Sequence, residues 1–133
     1  MCEIYPLFFS RFPTWESLAA ARVPHIAAII RPLGIWKSRP RQISALAKEV
    51  VRLGKRLPDS REELESLAGV GHYVASAVLI FEYGKAEALV DVNMARVINR
   101  YFDRPMAVSL RRDKELHNLA RKCIDPRRPM ETN

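Results

Sequence analysis

Apolar residues recur at three- and four-residue intervals along nearly all of this 133-residue chain, the spacing of helices with one buried face. Ile4, Leu7, Phe8 and Phe12 form the first stripe, with Pro6 marking a start nearby. Thr14 is placed to cap a helix over 15–21. Pro24 opens the next, with Ile26, Ile29, Ile30 and Leu33 on one face and Gly34 as its stop. Ile43, Leu46, Ala47, Val50 and Leu53 predict a longer helix ending at Gly54. Ser60 and Glu63 have capping-box spacing and begin a short helix to Leu67. Val74, Ala77, Val78 and Phe81 predict another buried stripe. Met94, Val97, Ile98 and Tyr101 predict one more, with Asp91 at its N-cap. Leu110 to Ile124 reads as a last helix, and Pro126 to Asn133 has no periodicity. No strand alternation, internal repeat or interior boundary is visible. The expectation is an all-α fold, a compact helical domain over residues 1–133.

Composition narrows the class. With 48% hydrophobic and 28% charged residues, the chain reads as soluble and globular. No apolar run approaches the roughly 20 residues that span a bilayer. The start, Met1-Cys2-Glu3-Ile4, lacks the pattern of a signal peptide, so a cytoplasmic location is expected. Cys2 and Cys123 stand at opposite ends with no partner at metal-like spacing. Two reduced thiols are the expectation, with a disulfide between the termini as the alternative. The net charge is +7. Arg96, Arg100, Arg104, Arg111, Arg112, Lys114, Arg121, Lys122, Arg127 and Arg128 crowd the last third, against Asp103, Asp113, Glu115 and Asp125. A solvated helix face accounts for part of that excess, and a phosphate-facing surface accounts for all of it.

Two segments carry candidate chemistry. In Leu67-Ala68-Gly69-Val70-Gly71-His72-Tyr73, two glycines flank one apolar residue between two helices. Glycine lets a backbone turn sharply and approach another molecule. A turn that opens a helix presents unpaired N–H groups and positive potential, which suits a phosphate. Taken alone, the same pattern also describes an ordinary tight turn. The second segment is Leu89-Val90-Asp91-Val92-Asn93. A carboxylate there caps a helix. It also has the charge that would stabilise a neighbouring cation or accept a proton from water. A ten-residue helix from the hairpin covers about 15 Å, and the following connection is long enough to bring Asp91 back.

Together, Leu67-Ala68-Gly69-Val70-Gly71-His72-Tyr73-Val74-Ala75 and Val90-Asp91-Val92-Asn93-Met94-Ala95-Arg96-Val97 resemble the helix–hairpin–helix (HhH-GPD) DNA glycosylase superfamily. This is the family of endonuclease III, the MutY-type adenine glycosylases and the thymine–guanine mismatch glycosylases. The resemblance runs from about Tyr5 to Asn133. Phe9-Ser10-Arg11-Phe12-Pro13-Thr14, Ile30-Arg31-Pro32-Leu33-Gly34 and Leu57-Pro58 follow in family order. Tyr83-Gly84-Lys85 and Arg96-Val97-Ile98-Asn99-Arg100-Tyr101-Phe102 look closest to the mismatch branch.

The resemblance implies a helical barrel containing the hairpin motif, double-stranded DNA with a mismatched or damaged base as partner, and excision of that base. Asp91 matches the catalytic aspartate. Tyr73 stands where bifunctional relatives hold a lysine that attacks the sugar. A phenol forms no Schiff base, so the implied enzyme is monofunctional and Tyr73 contacts the flipped nucleotide or its phosphate. Gly69, Val70, Gly71 and His72 would hold the DNA backbone, with a monovalent cation at the hairpin. Asn93 would support Asp91 or favour the helix start, and Arg96 and Arg100 would reach phosphates. Trp15 and Trp36 read as packing residues.

Two departures bear on the substrate. The additional N-terminal helix of the adenine and mismatch branches, with its pocket glutamate, has no counterpart here, and Glu3 does not match it. The four cysteines of the iron–sulfur region are also absent from this sequence, so no such cluster is expected in it. Adenine leaves poorly without a general acid, whereas thymine or uracil departs as an anion held by hydrogen bonds. Thymine or uracil opposite guanine is therefore the favoured substrate. Adenine opposite guanine or 8-oxoguanine is the alternative, and a non-catalytic DNA-binding module is the alternative of another class.

Overall fold

The computed structural model describes residues 3–105, 109–110 and 113–132. Among them the chain is all α, with eight α-helices. These are α1 (Ile4–Arg11), α2 (Trp15–Ala20), α3 (Val23–Ile30), α4 (Arg39–Arg52), α5 (Arg61–Ser66), α6 (His72–Phe81), α7 (Val92–Tyr101) and α8 (Lys114–Cys123). A 3-10 turn, Arg31–Leu33, follows α3 and stops at Gly34 in the left-handed conformation. None of the helices is long and apolar enough to cross a membrane. The chain divides into two compact units. One takes in residues through Pro58 together with Ser66–Gly69. The other takes in Asp59–Glu65 and the chain from Val70 onward.

In the first unit, α4 packs against α2 and α3, and α1 against α3. Phe12, Leu18, Ile26, Ile30 and Ala47 form the core, bordered by Phe8, Trp15 and Ile43. Local chemistry sets the element starts. The Thr14 hydroxyl accepts from the Ser17 amide at 3.2 Å, and the Thr14 amide donates to the Ser17 hydroxyl at 3.1 Å. This reciprocal box satisfies two amides that α2 cannot pair itself. Prolines in the first turns of α3 and α4 remove amides that would lack acceptors. Lys55 pairs with Glu16.

In the second unit, Ala88 and Val90 from the connection before α7 join Ala95 and Ile98 of α7. Leu116, Ala120 and Ile124, from α8 and its end, complete this core. Asp113 caps α8 by accepting from the Leu116 amide at 2.9 Å. That bond holds its carboxyl below the ordinary carboxylate range, helped by Arg104 and opposed by burial. Arg104 donates to Asn99 at 3.2 Å, Asp113 at 3.2 Å and Glu115 at 2.8 Å. On α8, His117 donates from Nε2 to the Leu110 carbonyl at 3.0 Å. Its ring meets that of His72 edge to face, with centroids 4.6 Å apart.

Element positions agree with the periodicity more closely than element faces do. The last helix begins at Lys114 rather than Leu110, because Asp113 provides its cap. On α6 the buried residues are Ala75, Ser76, Leu79 and Ile80. The expected stripe of Val74, Ala77, Val78 and Phe81 is turned away from them, with Phe81 55% exposed. The physical reason is that α6 is apolar on nearly all sides, so spacing alone does not select a face. On α7 the buried residues are Ala95, Ile98 and Asn99. Val97 is 65% and Tyr101 82% exposed, against expectation. Asn99 takes an interior place because Arg104 supplies its hydrogen bond. Cys123 is an exposed free thiol, while Cys2, Arg111, Arg112 and Asn133 lie outside the described residues.

Two predictions concern stability. Gly69 has φ +75°, and a Cβ there would lie 2.9 Å from Cβ of Gln42. Gly69→Ala should cost about 1–3 kcal/mol in urea unfolding. Gly71→Ala should be near neutral, because φ is −99° and open space surrounds its position. The second concerns pH. Burial depresses the pKa of His117, reinforced by the charges of His72, Arg121 and Arg61 and opposed by its bond to Leu110. The unfolded chain therefore binds this proton at higher pH than the folded one. The resulting stability is complete above the ordinary histidine value of 6.5 and lost as pH falls through the lowered one. His117→Gln, which keeps a donor but does not titrate, should flatten the fall in urea midpoint between about pH 7 and 5.

Candidate functional site

The hairpin is built residue by residue. Ala68 donates its amide to Oε2 of Glu49 on α4 at 2.9 Å. Gly69 then takes the left-handed conformation that reverses the chain. Val70 is buried, which anchors the turn, and Gly71 becomes the N-cap of α6 in an extended conformation. Among the described residues, no side chain caps this helix. The amides of His72, Tyr73 and Val74 occupy its first turn, where no carbonyl of the helix can reach them. A ten-residue helix adds partial positive charge at this end. Donors and potential together suit a phosphate oxygen.

His72 adds a set of side-chain contacts to this arrangement. Its ring is drawn into a polar cluster, with Nδ1 2.9 Å from Oε1 of Glu65 and 3.1 Å from Nη1 of Arg61. The Glu65 carboxyl is lowered despite its burial, because His72 and Arg61 outweigh that cost. Nδ1 is thus engaged within the protein, while the backbone amide of His72 lies in the uncapped first turn of α6. Tyr73, the next residue, is 48% exposed.

Asp91 is the N-cap of α7. Its Oδ1 accepts from the Met94 amide at 2.8 Å and its Oδ2 from Nδ2 of Asn93 at 3.3 Å. Each oxygen keeps a further lone pair, and the residue is exposed. Asn93 thus orients the carboxylate directly. The site is a solvent-facing anion held in one rotamer from both oxygens. It can stabilise a neighbouring positive charge or accept a proton from water.

Arg96 and Arg100 are exposed on α7, where they line an open cavity of about 470 Å³ with Asn99, Asp103 and Arg104. Of the two tryptophans, Trp15 packs beside the first unit's core. Trp36 is 41% exposed, with the guanidinium of Arg31 5.6 Å from its ring centre. Sequence reading missed Arg61, Glu65 and Glu87, which meet in the second unit. The i,i+4 spacing of Arg61 and Glu65 was a local signal. The pairing of Arg61 with Glu87 had none.

Residues 1–106 match the HhH-GPD superfamily base excision DNA repair protein family. The chain is 44% identical over 131 residues to a thymine/uracil-DNA glycosylase of Pyrobaculum aerophilum, covering 96% of this chain and 56% of that protein. It is 34% identical over 134 residues to the human adenine DNA glycosylase, covering 97% of this chain and 24% of that protein. A solved structure of a thermostable thymine-DNA glycosylase superposes with a TM-score of 0.88 at 32% identity, over 98% of this chain and 61% of that one. A trapped endonuclease III–DNA covalent intermediate shares the fold, with a TM-score of 0.84 at 23% identity, over 98% of this chain and 60% of that one. The chain thus spans about half the length of the first two thymine glycosylases it matches in sequence, 56% of one and 44% of the other. On the family match and these identities, the chain belongs to the HhH-GPD superfamily of base excision DNA repair proteins.

Proposed function

We propose that this chain carries the catalytic residues of a monofunctional DNA glycosylase that removes thymine or uracil opposite guanine. The observation that carries the reading is Asp91, an exposed carboxylate fixed by Met94 and Asn93 at the start of a helix. Relatives named thymine/uracil-DNA and thymine-DNA glycosylase, at 44% and 42% identity, support the choice of base.

In this mechanism the first-turn amides of α6 hold a phosphodiester, a contact that positions DNA without reading sequence. The target nucleotide leaves the stack. The bond between C1′ and the base nitrogen breaks, and its electron pair departs with the pyrimidine as an anion. Asp91 stabilises the cationic sugar that remains. Water adds its oxygen to C1′, and its proton passes to the carboxylate and then to solvent. Tyr73 has no amine to form a Schiff base, so the strand stays intact.

The test is a single-turnover assay on labelled T·G, U·G, A·G and A·8-oxoguanine duplexes, each split with and without hot alkali. Alkali-dependent cleavage of T·G or U·G is expected, falling about 10²-fold or more in Asp91→Asn. Asparagine caps a helix about as well as aspartate, so the variant should stay folded and keep its duplex affinity. Release of adenine instead would move the reading to the adenine branch. Cleavage without alkali would refute the assignment of Tyr73. Duplex binding without any base release would favour a binding module.

A further inference from the structure

We propose that Arg61 is a positioning residue of this site, tying the start of α6, which carries Tyr73, to the segment that delivers Asp91. The inference rests on the glycosylase reading above. Arg61 is the first residue of α5, and its side chain is 19% exposed. Its two terminal nitrogens have different work. Nη1 lies 3.1 Å from Nδ1 of His72, 3.4 Å from Oε1 of Glu65 and 3.5 Å from the His72 carbonyl. Those contacts are long or shared. Nη2 makes the two firm ones, to the Ser76 hydroxyl at 3.1 Å and to Oε2 of Glu87 at 2.8 Å.

The placement of those two partners gives the contact its consequence. Ser76 lies on α6, one turn beyond Tyr73, and is fully buried. Glu87 lies in the connection between α6 and α7, four residues before Asp91. A single nitrogen with two hydrogens therefore bridges the element bearing the tyrosine and the segment bearing the aspartate. Ala88 and Val90 bury this segment against α7 and α8, which fixes its depth. The bond from Arg61 adds a directional tie between this segment and α6. Arg121 reinforces Glu87 from α8 at 3.2 Å. Lysine has the same charge but no planar fork, so one ammonium cannot reproduce both bonds at these angles.

Misplacement of a reacting group by about 1 Å can cost about 10²-fold in rate with little effect on binding. Arg61→Lys should therefore lower the single-turnover rate of base release about tenfold or more while duplex Kd stays within about twofold. Glu87→Gln, which keeps an acceptor but not the charge, should lower it less. The double variant should be no slower than Arg61→Lys alone, because both act on one bond. Amide hydrogen exchange on the same chain should quicken at residues 75–76 and 86–93 in Arg61→Lys and stay unchanged across α4. Wild-type rates in Arg61→Lys, or rate and affinity falling together in step with unfolding, would overturn the proposal. Absence of base release by the unmodified chain would sink the glycosylase reading instead. In that case the exchange pattern still decides the tie, and unchanged exchange at both segments would overturn it.

Discussion

The constraint behind this site is the shortage of hydrogen-bond acceptors at the start of a helix. The chain meets it differently at each helix. Thr14 caps α2, the Ser60 hydroxyl takes the Glu63 amide at 3.3 Å ahead of α5, and Asp113 caps α8. Prolines reduce the demand in the first turns of α1, α3 and α4. At α7 the demand is met by Asp91, and in meeting it the backbone and Asn93 hold a charged group facing solvent. At α6 no side chain among the described residues meets it. The same elementary deficit thus yields a fixed carboxylate at one helix start and a donor set for an anion at the other.

The two glycines of the hairpin divide the labour along similar lines. Gly69 is required by the chain itself, because its backbone is left-handed and a Cβ would collide with Gln42. Gly71 is required by neither its φ nor its neighbours. What its missing side chain does provide is open approach to the amides that follow. Folding explains one glycine. A ligand's backbone coming close would explain the other.

Much of this was legible in the sequence, and the limits have physical causes. Caps and breakers are local, so Thr14, Ser60 and Asp91 announced their helix starts from neighbours three residues away. Burial faces are set by other elements. An apolar helix such as α6 offers several stripes of equal quality, and tertiary packing chose the one containing Ser76. That choice depends on Arg61, fifteen residues earlier, which supplies the hydroxyl's partner. Val97 and Tyr101 followed a helical period but remain exposed, because the buried row of α7 runs through Ala95 and Asn99. Pairings such as Arg61 with Glu87 span 26 positions in sequence and leave no periodic trace.

His72 shows how that long-range chemistry changes the reading of a motif. From sequence, an imidazole beside a glycine hairpin invites a direct contact with phosphate. The ring instead lies against Glu65, Arg61 and His117. Its Nδ1 can donate to Glu65 or accept from Arg61, but one nitrogen cannot do both in the same tautomer. The Arg61 contacts shared through Nη1 are correspondingly long, and its Nη2 bonds to Ser76 and Glu87 carry the directionality. Through Nδ1, His72 thus takes part in the mount of α6. The donors that α6 itself presents at the hairpin are backbone amides, whose direction is set by the helix and does not change with the protonation of any side chain.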